Sequence, residues 1–195
     1  MTGRRAVLHY DIESVYQGGT FRDGAIHAWT FSSESGVVLP RLPFRPRLGL
    51  RADITSGDGD PNRKNLQMFN ALFPIGNYFG IFADTGPGPA NLLDLHPSVR
   101  LGLSHRVDIF ADWLVWWRDS VHDGVYGVPG NLLVPAGSSS ARSVGNRPGI
   151  EAHWQIDRHS YLPGDYGVFF AGPFLKQAGH AKNLNYAAAT MGYSF

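Results

Sequence analysis

The ionisable side chains of this chain recur at even spacings inside segments that are otherwise apolar. Arg51 and Asp53 lie two apart, as do Glu151 and His153; Asp108 and Asp112 lie four apart, with Arg118 further along the same segment. Arg100 stands between Val99 and Leu101. Even spacing puts side chains on one face of an extended strand. Such rows of cations and carboxylates suit reversible binding of charged solutes, because a planar guanidinium meets a carboxylate in two-point hydrogen bonding. They suit catalysis poorly. His153 and Asp157 share a face, but four residues of extended chain separate them by about 13 Å. Asp58-Gly59-Asp60-Pro61-Asn62 resembles the start of a calcium loop but lacks the later bidentate Glu, so it reads as a turn. Thr85-Gly86-Pro87-Gly88-Pro89 has no following Lys-Ser/Thr and fails as a phosphate loop, and Ser138-Ser139-Ser140 reads as a flexible loop tip. No Ser-His-Asp arrangement stands out. The expectation is no enzyme, no metal and no cofactor.

The elements that would hold these residues are strands. Eight segments alternate with a period of two: 5–17, 25–33, 47–55, 98–104, 107–118, 149–157, 161–170 and 184–195. In the longest, Val107, Ile109, Ala111, Trp113, Val115 and Trp117 share one face, and Asp108, Phe110, Asp112, Leu114, Trp116 and Arg118 the other. Phe110, Leu114 and Trp116 are exceptions on the charged side, explicable if loops fold inward against them. No helical stripe of useful length competes, so the fold class is all-β and antiparallel, in one domain spanning 1–195.

Composition narrows the solvent. Charged residues make up 17%, below the roughly 25% usual for soluble domains, and there are 24 Gly, 13% aromatics and no Cys. A net charge of +1 leaves no basic face for nucleic acid. No run approaches the ~18 apolar residues of a membrane helix, but a membrane barrel would show none. The apolar faces of 107–118 and 149–157 carry no charge; one Arg or Lys there would cost roughly 2–4 kcal/mol in mid-bilayer. The opposite faces carry too many charges for a dry core.

Loop lengths point the same way. Counting back from the C-terminus, connections alternate: 172–183 longish, 158–160 tight, 119–148 long, 105–106 tight, 56–97 very long. Only the proline-rich 36–46 connection is longer than this alternation expects. Outer-membrane barrels have short periplasmic turns and long outer loops. A terminal strand ending in Tyr193-Ser194-Phe195 is how such barrels end, which makes Tyr193 and Phe195 candidates for the signal read by the barrel-assembly machinery. The expectation is an up-and-down transmembrane β-barrel in a bacterial (Gram-negative) outer membrane, in contact with its lipid, with a periplasmic C-terminus. The first ten residues have two arginines but no apolar h-region, so either the chain is a fragment with its export signal upstream or the membrane reading is wrong.

Several stretches also resemble the alginate export family of outer-membrane β-barrels. They are Pro46-Arg47-Leu48-Gly49-Leu50, Thr55-Ser56-Gly57-Asp58-Gly59-Asp60-Pro61, Phe69-Asn70-Ala71-Leu72-Phe73-Pro74 and Asn91-Leu92-Leu93-Asp94-Leu95-His96-Pro97-Ser98. Trp116-Trp117-Arg118-Asp119-Ser120, Asp123-Gly124-Val125-Tyr126, Gly130-Asn131-Leu132-Leu133-Val134-Pro135-Ala136-Gly137 and Phe170-Ala171-Gly172-Pro173-Phe174-Leu175 complete the set. The resemblance spans about residues 46–195 and implies a barrel of about eighteen strands, of which this chain would be the C-terminal portion, the alternative being that its eight strands close as a small barrel. It also implies passive conduction of an anionic uronic-acid polysaccharide or a related solute through an arginine-lined lumen. Candidate pore-lining residues are Arg51, Asp53, Arg100, Asp108, Asp112, Arg118, Glu151 and His153, with Arg5 a weaker addition. For each Arg, a structural salt bridge with a neighbouring Asp is an equal alternative. The competing functions are a soluble β-domain that binds carbohydrate on an aromatic-lined sheet, and a polysaccharide-modifying enzyme, for which no acid/base pair is found.

Overall fold

The computed structural model describes residues 7–60, 62–72 and 87–195. Arg5, Pro61, Phe73-Pro74 and Thr85-Gly86 of the readings above lie outside the described residues. The chain forms β1 (Val7–Phe21), β2 (Gly24–Val38), β3 (Arg47–Thr55), β4 (Leu92–Gly102), β5 (Val107–Trp117), β6 (Val125–Tyr126), β7 (Leu132–Val134), β8 (Ser143–Gln155), β9 (Ser160–Ala171), α1 (Pro173–Gln177), β10 (Leu184–Ala189) and β11 (Gly192–Tyr193). One antiparallel nine-stranded sheet runs β1-β2-β3-β4-β5-β8-β9-β10, with β11 also on β9, and β6-β7 form a separate hairpin. Neighbours in sequence pair in space, apart from the β6-β7 excursion, as in an up-and-down meander.

Several strands exceed their alternation. β1 and β2 are 15 residues each, because the extensions run through Gly18-Gly19 and Ser32-Ser33-Glu34-Ser35-Gly36, whose small or polar side chains carry no apolar period. β4 and β8 pass through Pro97 and Pro148, which a sequence reading takes as boundaries because proline brings no N–H to a ladder. The structure accommodates each by a local gap. Pro97 stays paired with Leu50 of β3 while the β4-β5 ladder skips from Leu95 to Ser98. Pro148 stays opposite Trp113 of β5 while the β8-β9 ladder skips from Asn146 to Gly149. The last segment is shorter than expected: β10 ends at Ala189 and pairing resumes only at β11.

Register sorts the side chains. Directly opposed residues share a face, so Leu8, Trp29, Leu50, Trp113, Ile150, Trp154 and Tyr166 lie on one side. That side is strongly exposed: Leu50 is 43% accessible, Trp113 53%, Ile150 48% and Trp154 48%. The buried core is instead on the charged side, at the end of the sheet bearing the long loops. Leu92, Leu114 and Trp116 pack there against Val125 and Val134 of the β6-β7 hairpin, Val144, and Phe174 of α1. This explains Leu114 and Trp116 as apolar residues on the charged side covered by loops folded over it; Phe110 has a different partner, described below. At the same end β1 and β2 are joined by the two-residue turn Arg22-Asp23. Tight turns therefore occur at both ends, and loop length alternates less regularly than the sequence suggested.

Candidate functional site

The charged face is a ladder of cross-strand ion pairs. Arg51 of β3 opposes Glu34 of β2 and donates from Nη2 to its Oε2 at 2.7 Å. Arg100 of β4 pairs with Asp108 of β5 and its guanidinium lies 4.9 Å over the Phe110 ring. Asp108 also faces His153 of β8, 3.6 Å from its Nδ1. Glu151 opposes Asp165 of β9, a like-charged pair.

Asp112 is the most connected of these residues. His96 Nε2 lies 2.8 Å from its Oδ2, and Arg147 Nη2 donates to the same oxygen at 2.5 Å. His96 and Arg147 immediately precede Pro97 and Pro148, so both sit where the ladder is interrupted. A residue before proline is held extended, and here that aims both side chains at Asp112 between them. Gly149 leaves the space they need: a Cβ there would stand 2.4 Å from Arg147 Nη1 and 2.6 Å from Asp112 Oδ1. Alternation alone does not reach Arg147, because the period-two segment begins at Gly149, after Pro148. The Arg-Pro and His-Pro dipeptides were the available signal.

Asp53 faces Asp94 across β3-β4, and Asp94 faces Trp116 across β4-β5. Asp53 and Asp94 are both buried. Neither oxygen of Asp53, Oδ1 of Asp94 nor Nε1 of Trp116 has a hydrogen-bond partner among the described residues.

Arg118 departs from its expected role. It is fully buried, and its guanidinium is spent on backbone: Nε donates to Ala141 O, Nη1 to Val121 O and Asp123 O, and Nη2 to Ser139 O and Ala141 O, at 2.6–3.2 Å. The Phe174 ring lies 3.8 Å beneath it. Burial pulls its pKa below the usual arginine value, and the Asp123 carboxylate opposes that shift; a guanidinium stays protonated regardless. Arg118 therefore organises the 118–142 loop rather than facing open space. Asn91 joins that loop to β4 with Nδ2 on Ser120 O and Gly124 O, and Asp119 and Asp123 accept from the amides of Gly57 and Asp58. Burial, then the 2.6 Å hydrogen bond to Asp123, raises the Tyr126 hydroxyl above its ordinary pKa. In the 58–62 turn, Asp58 and Asp60 accept from backbone amides two residues on, and Asp60 pairs with Arg63, which is the chemistry of a turn.

At the opposite end, Arg47 faces Arg100 across β3-β4. The terminal residues are latched to the β8-β9 turn there: Ser194 N donates to His159 O, His159 Nδ1 lies 2.9 Å from Ser194 O, and Tyr193 stacks on His159 with Phe195 edge-on to Tyr193. Asp157 accepts from the amides of His159 and Ser160, and these two bonds hold its carboxyl below the usual range.

Comparison with known proteins gives one assignment: a family model described as alginate export matches residues 1–189. No curated protein matches the chain.

Proposed function

The chain belongs to the alginate export family of outer-membrane transport proteins, and from that premise we propose that its sheet is a section of a barrel wall enclosing a charged, water-filled lumen, through which an anionic polysaccharide passes by diffusion. The observation that carries this reading is the division of the sheet into an exposed apolar face and a face of paired charges. In water the first would be a liability; against lipid it is the required surface. Both β1 and β10 are edges of the described sheet. Unpaired backbone costs several kcal/mol per group inside a bilayer, so the proposal includes pairing partners for both, in a ring larger than these strands. The short turns 103–106 and 156–159 and the C-terminus then lie in the periplasm, and the long loops outside.

The lumen contacts for a carboxylated sugar are cations in excess of their neighbouring acids. Arg47 fits best, together with Arg100, which pairs with Asp108 but also faces Arg47 across β3-β4. Like charges directly opposed are destabilising, and a bound carboxylate would relieve that repulsion. Arg51, tied to Glu34, and Arg147, tied to Asp112, act more as ballast for the wall. Many weak contacts in series let a polymer leave again.

Ile150→Arg separates the membrane reading from a soluble carbohydrate-binding sheet. At a half-exposed site in water the substitution is nearly neutral; facing mid-bilayer it costs roughly 2–4 kcal/mol. Heat-modifiable migration of the variant in detergent should show the loss, and an unchanged unfolding midpoint would remove the lipid-facing assignment. Planar-bilayer recordings of Arg47→Gln with Arg100→Gln should show reduced anion selectivity; unchanged selectivity would remove these two residues.

A further inference from the structure

The connection between β2 and β3, loop 39–46, is more ordered and more basic than a periplasmic turn requires. It reads Leu39-Pro40-Arg41-Leu42-Pro43-Phe44-Arg45-Pro46 and leads directly into Arg47. The adjacent turn, Leu103-Ser104-His105-Arg106, adds another arginine, and neither segment contains an acid. The long loops at the other end of the sheet mix Asp58, Asp60, Asp119 and Asp123 with Arg63, Lys64 and Arg142. These two segments are thus basic with no acid of their own, whereas the loops at the other end, which also hold Arg22, Asp23, Lys176 and Lys182, carry both signs.

The loop has a defined shape. Leu39 N donates to Pro46 O, Leu42 N to Leu39 O and Arg45 N to Leu42 O, while Phe44 O accepts from Gly102 N at the end of β4. Consecutive non-glycine residues Phe44 and Arg45 hold φ of 60° and 44°. A left-handed backbone at two bulky residues in succession costs energy, and such outliers gather at functional sites. The conformation leaves Leu42 and Phe44 more than half exposed beside the exposed Arg41, Arg45, Arg47 and Arg106.

We propose that loop 39–46 and turn 103–106 form a capture site for an acidic polysaccharide, Arg41 and Arg45 holding its carboxylates and Phe44 lying against the apolar face of a sugar ring. The chain is then passed to Arg47 and Arg100, which lie on the lumen face of β3 and β4. That continuity favours a polymer over a lipid headgroup, which would need the cations to continue on the apolar face instead. The inference rests on the lumen reading above, and adds where the polymer is first held and from which side.

The test uses the protein in planar bilayers with an oligouronate as probe, added to one side at a time. Electrostatic steering by an arginine cluster changes association rates by ten-fold or more. In Arg41→Gln/Arg45→Gln, blockades from the loop 39–46 side should begin about ten-fold less often at low salt. Those from the other side should be unchanged, and the difference should close at about 1 M salt, where the Debye length is ~3 Å. Phe44→Asn keeps a residue that tolerates positive φ; it should shorten each blockade without slowing its onset. Equal onset rates in wild type and the double variant, or an equal fall from both sides, overturn the capture site while leaving the lumen intact. So does a double variant that loses only binding to phosphatidylglycerol vesicles, which would make the loop a lipid contact. Absence of blockade from either side in wild type sinks the lumen reading and this inference together.

Discussion

Replacing Arg118 should open the 118–142 loop while leaving the sheet closed to unfolding. In Arg118→Met the volume is roughly kept but the carbonyls of Val121, Asp123, Ser139 and Ala141 lose their donors. Each carbonyl left buried and unpaired costs ~1–3 kcal/mol. Loop carbonyls can recover part of that by turning to water, and the cation–π contact with Phe174 adds ~0.5–2 kcal/mol to the loss. A net loss of about 3–5 kcal/mol follows, the range seen when one partner of a buried ionic contact is removed. It corresponds to a rise of two to three or more orders of magnitude in loop opening. Limited proteolysis of the protein in outer-membrane vesicles reads this directly, as cleavage within 119–142. Arg118→Lys should behave nearly as badly, because one ammonium has three donors on a single point and cannot span four carbonyls on separate strands of loop. Strand pairing should be unaffected, so the heat-modifiable band should survive. Cleavage as slow in Arg118→Met as in wild type would refute the view that the guanidinium holds the loop together. So would cleavage of Arg118→Lys at the wild-type rate.

Two further outcomes follow from the buried and turn carboxylates. Asp94→Asn removes one of two facing, buried carboxylates at almost constant volume, and should stabilise the protein by ~1–3 kcal/mol against urea in detergent; a clear loss of stability would mean that the Asp53–Asp94 pair is held by a partner. Asp157 has a folded pKa below its unfolded value, so its contribution is present above the unfolded value of about 3.9 and is lost as pH falls through the folded one. Asp157→Asn should therefore unfold more readily than wild type near neutral pH, with the two converging in acid; a gap that persists unchanged at low pH would exclude the ionised carboxylate as its source.

The alternation of apolar and polar residues was enough to give an all-β chain, and to assign Trp113, Val115, Ile150 and Trp154 to one face and Arg51, Asp108, Asp112 and Glu151 to the other. That works because side-chain direction in a strand depends only on residue parity. The same local signal indicated inward-folded loops, through Leu114 and Trp116 on the wrong side of an otherwise charged face. It failed where chemistry and period part company. Pro97 and Pro148 read as strand ends, so the period does not extend to His96 and Arg147, which complete the charged face. The Ser- and Gly-rich half of β2 had no apolar stripe to count.

Tertiary structure decided which charges meet. Parity puts Asp112, His96 and Arg147 on one side of the sheet, but only register brings all three together at one carboxylate. It likewise sets Asp53 against Asp94, and Arg47 against Arg100, pairings between strands far apart in sequence. Arg118 shows the limit most plainly. Its sequence neighbours made it the last residue of a charged strand face, whereas the 118–142 loop and Phe174 fold over it and turn it into a buried clasp. A period of two fixes the side on which a residue stands; what covers that side depends on loops whose path no local pattern encodes.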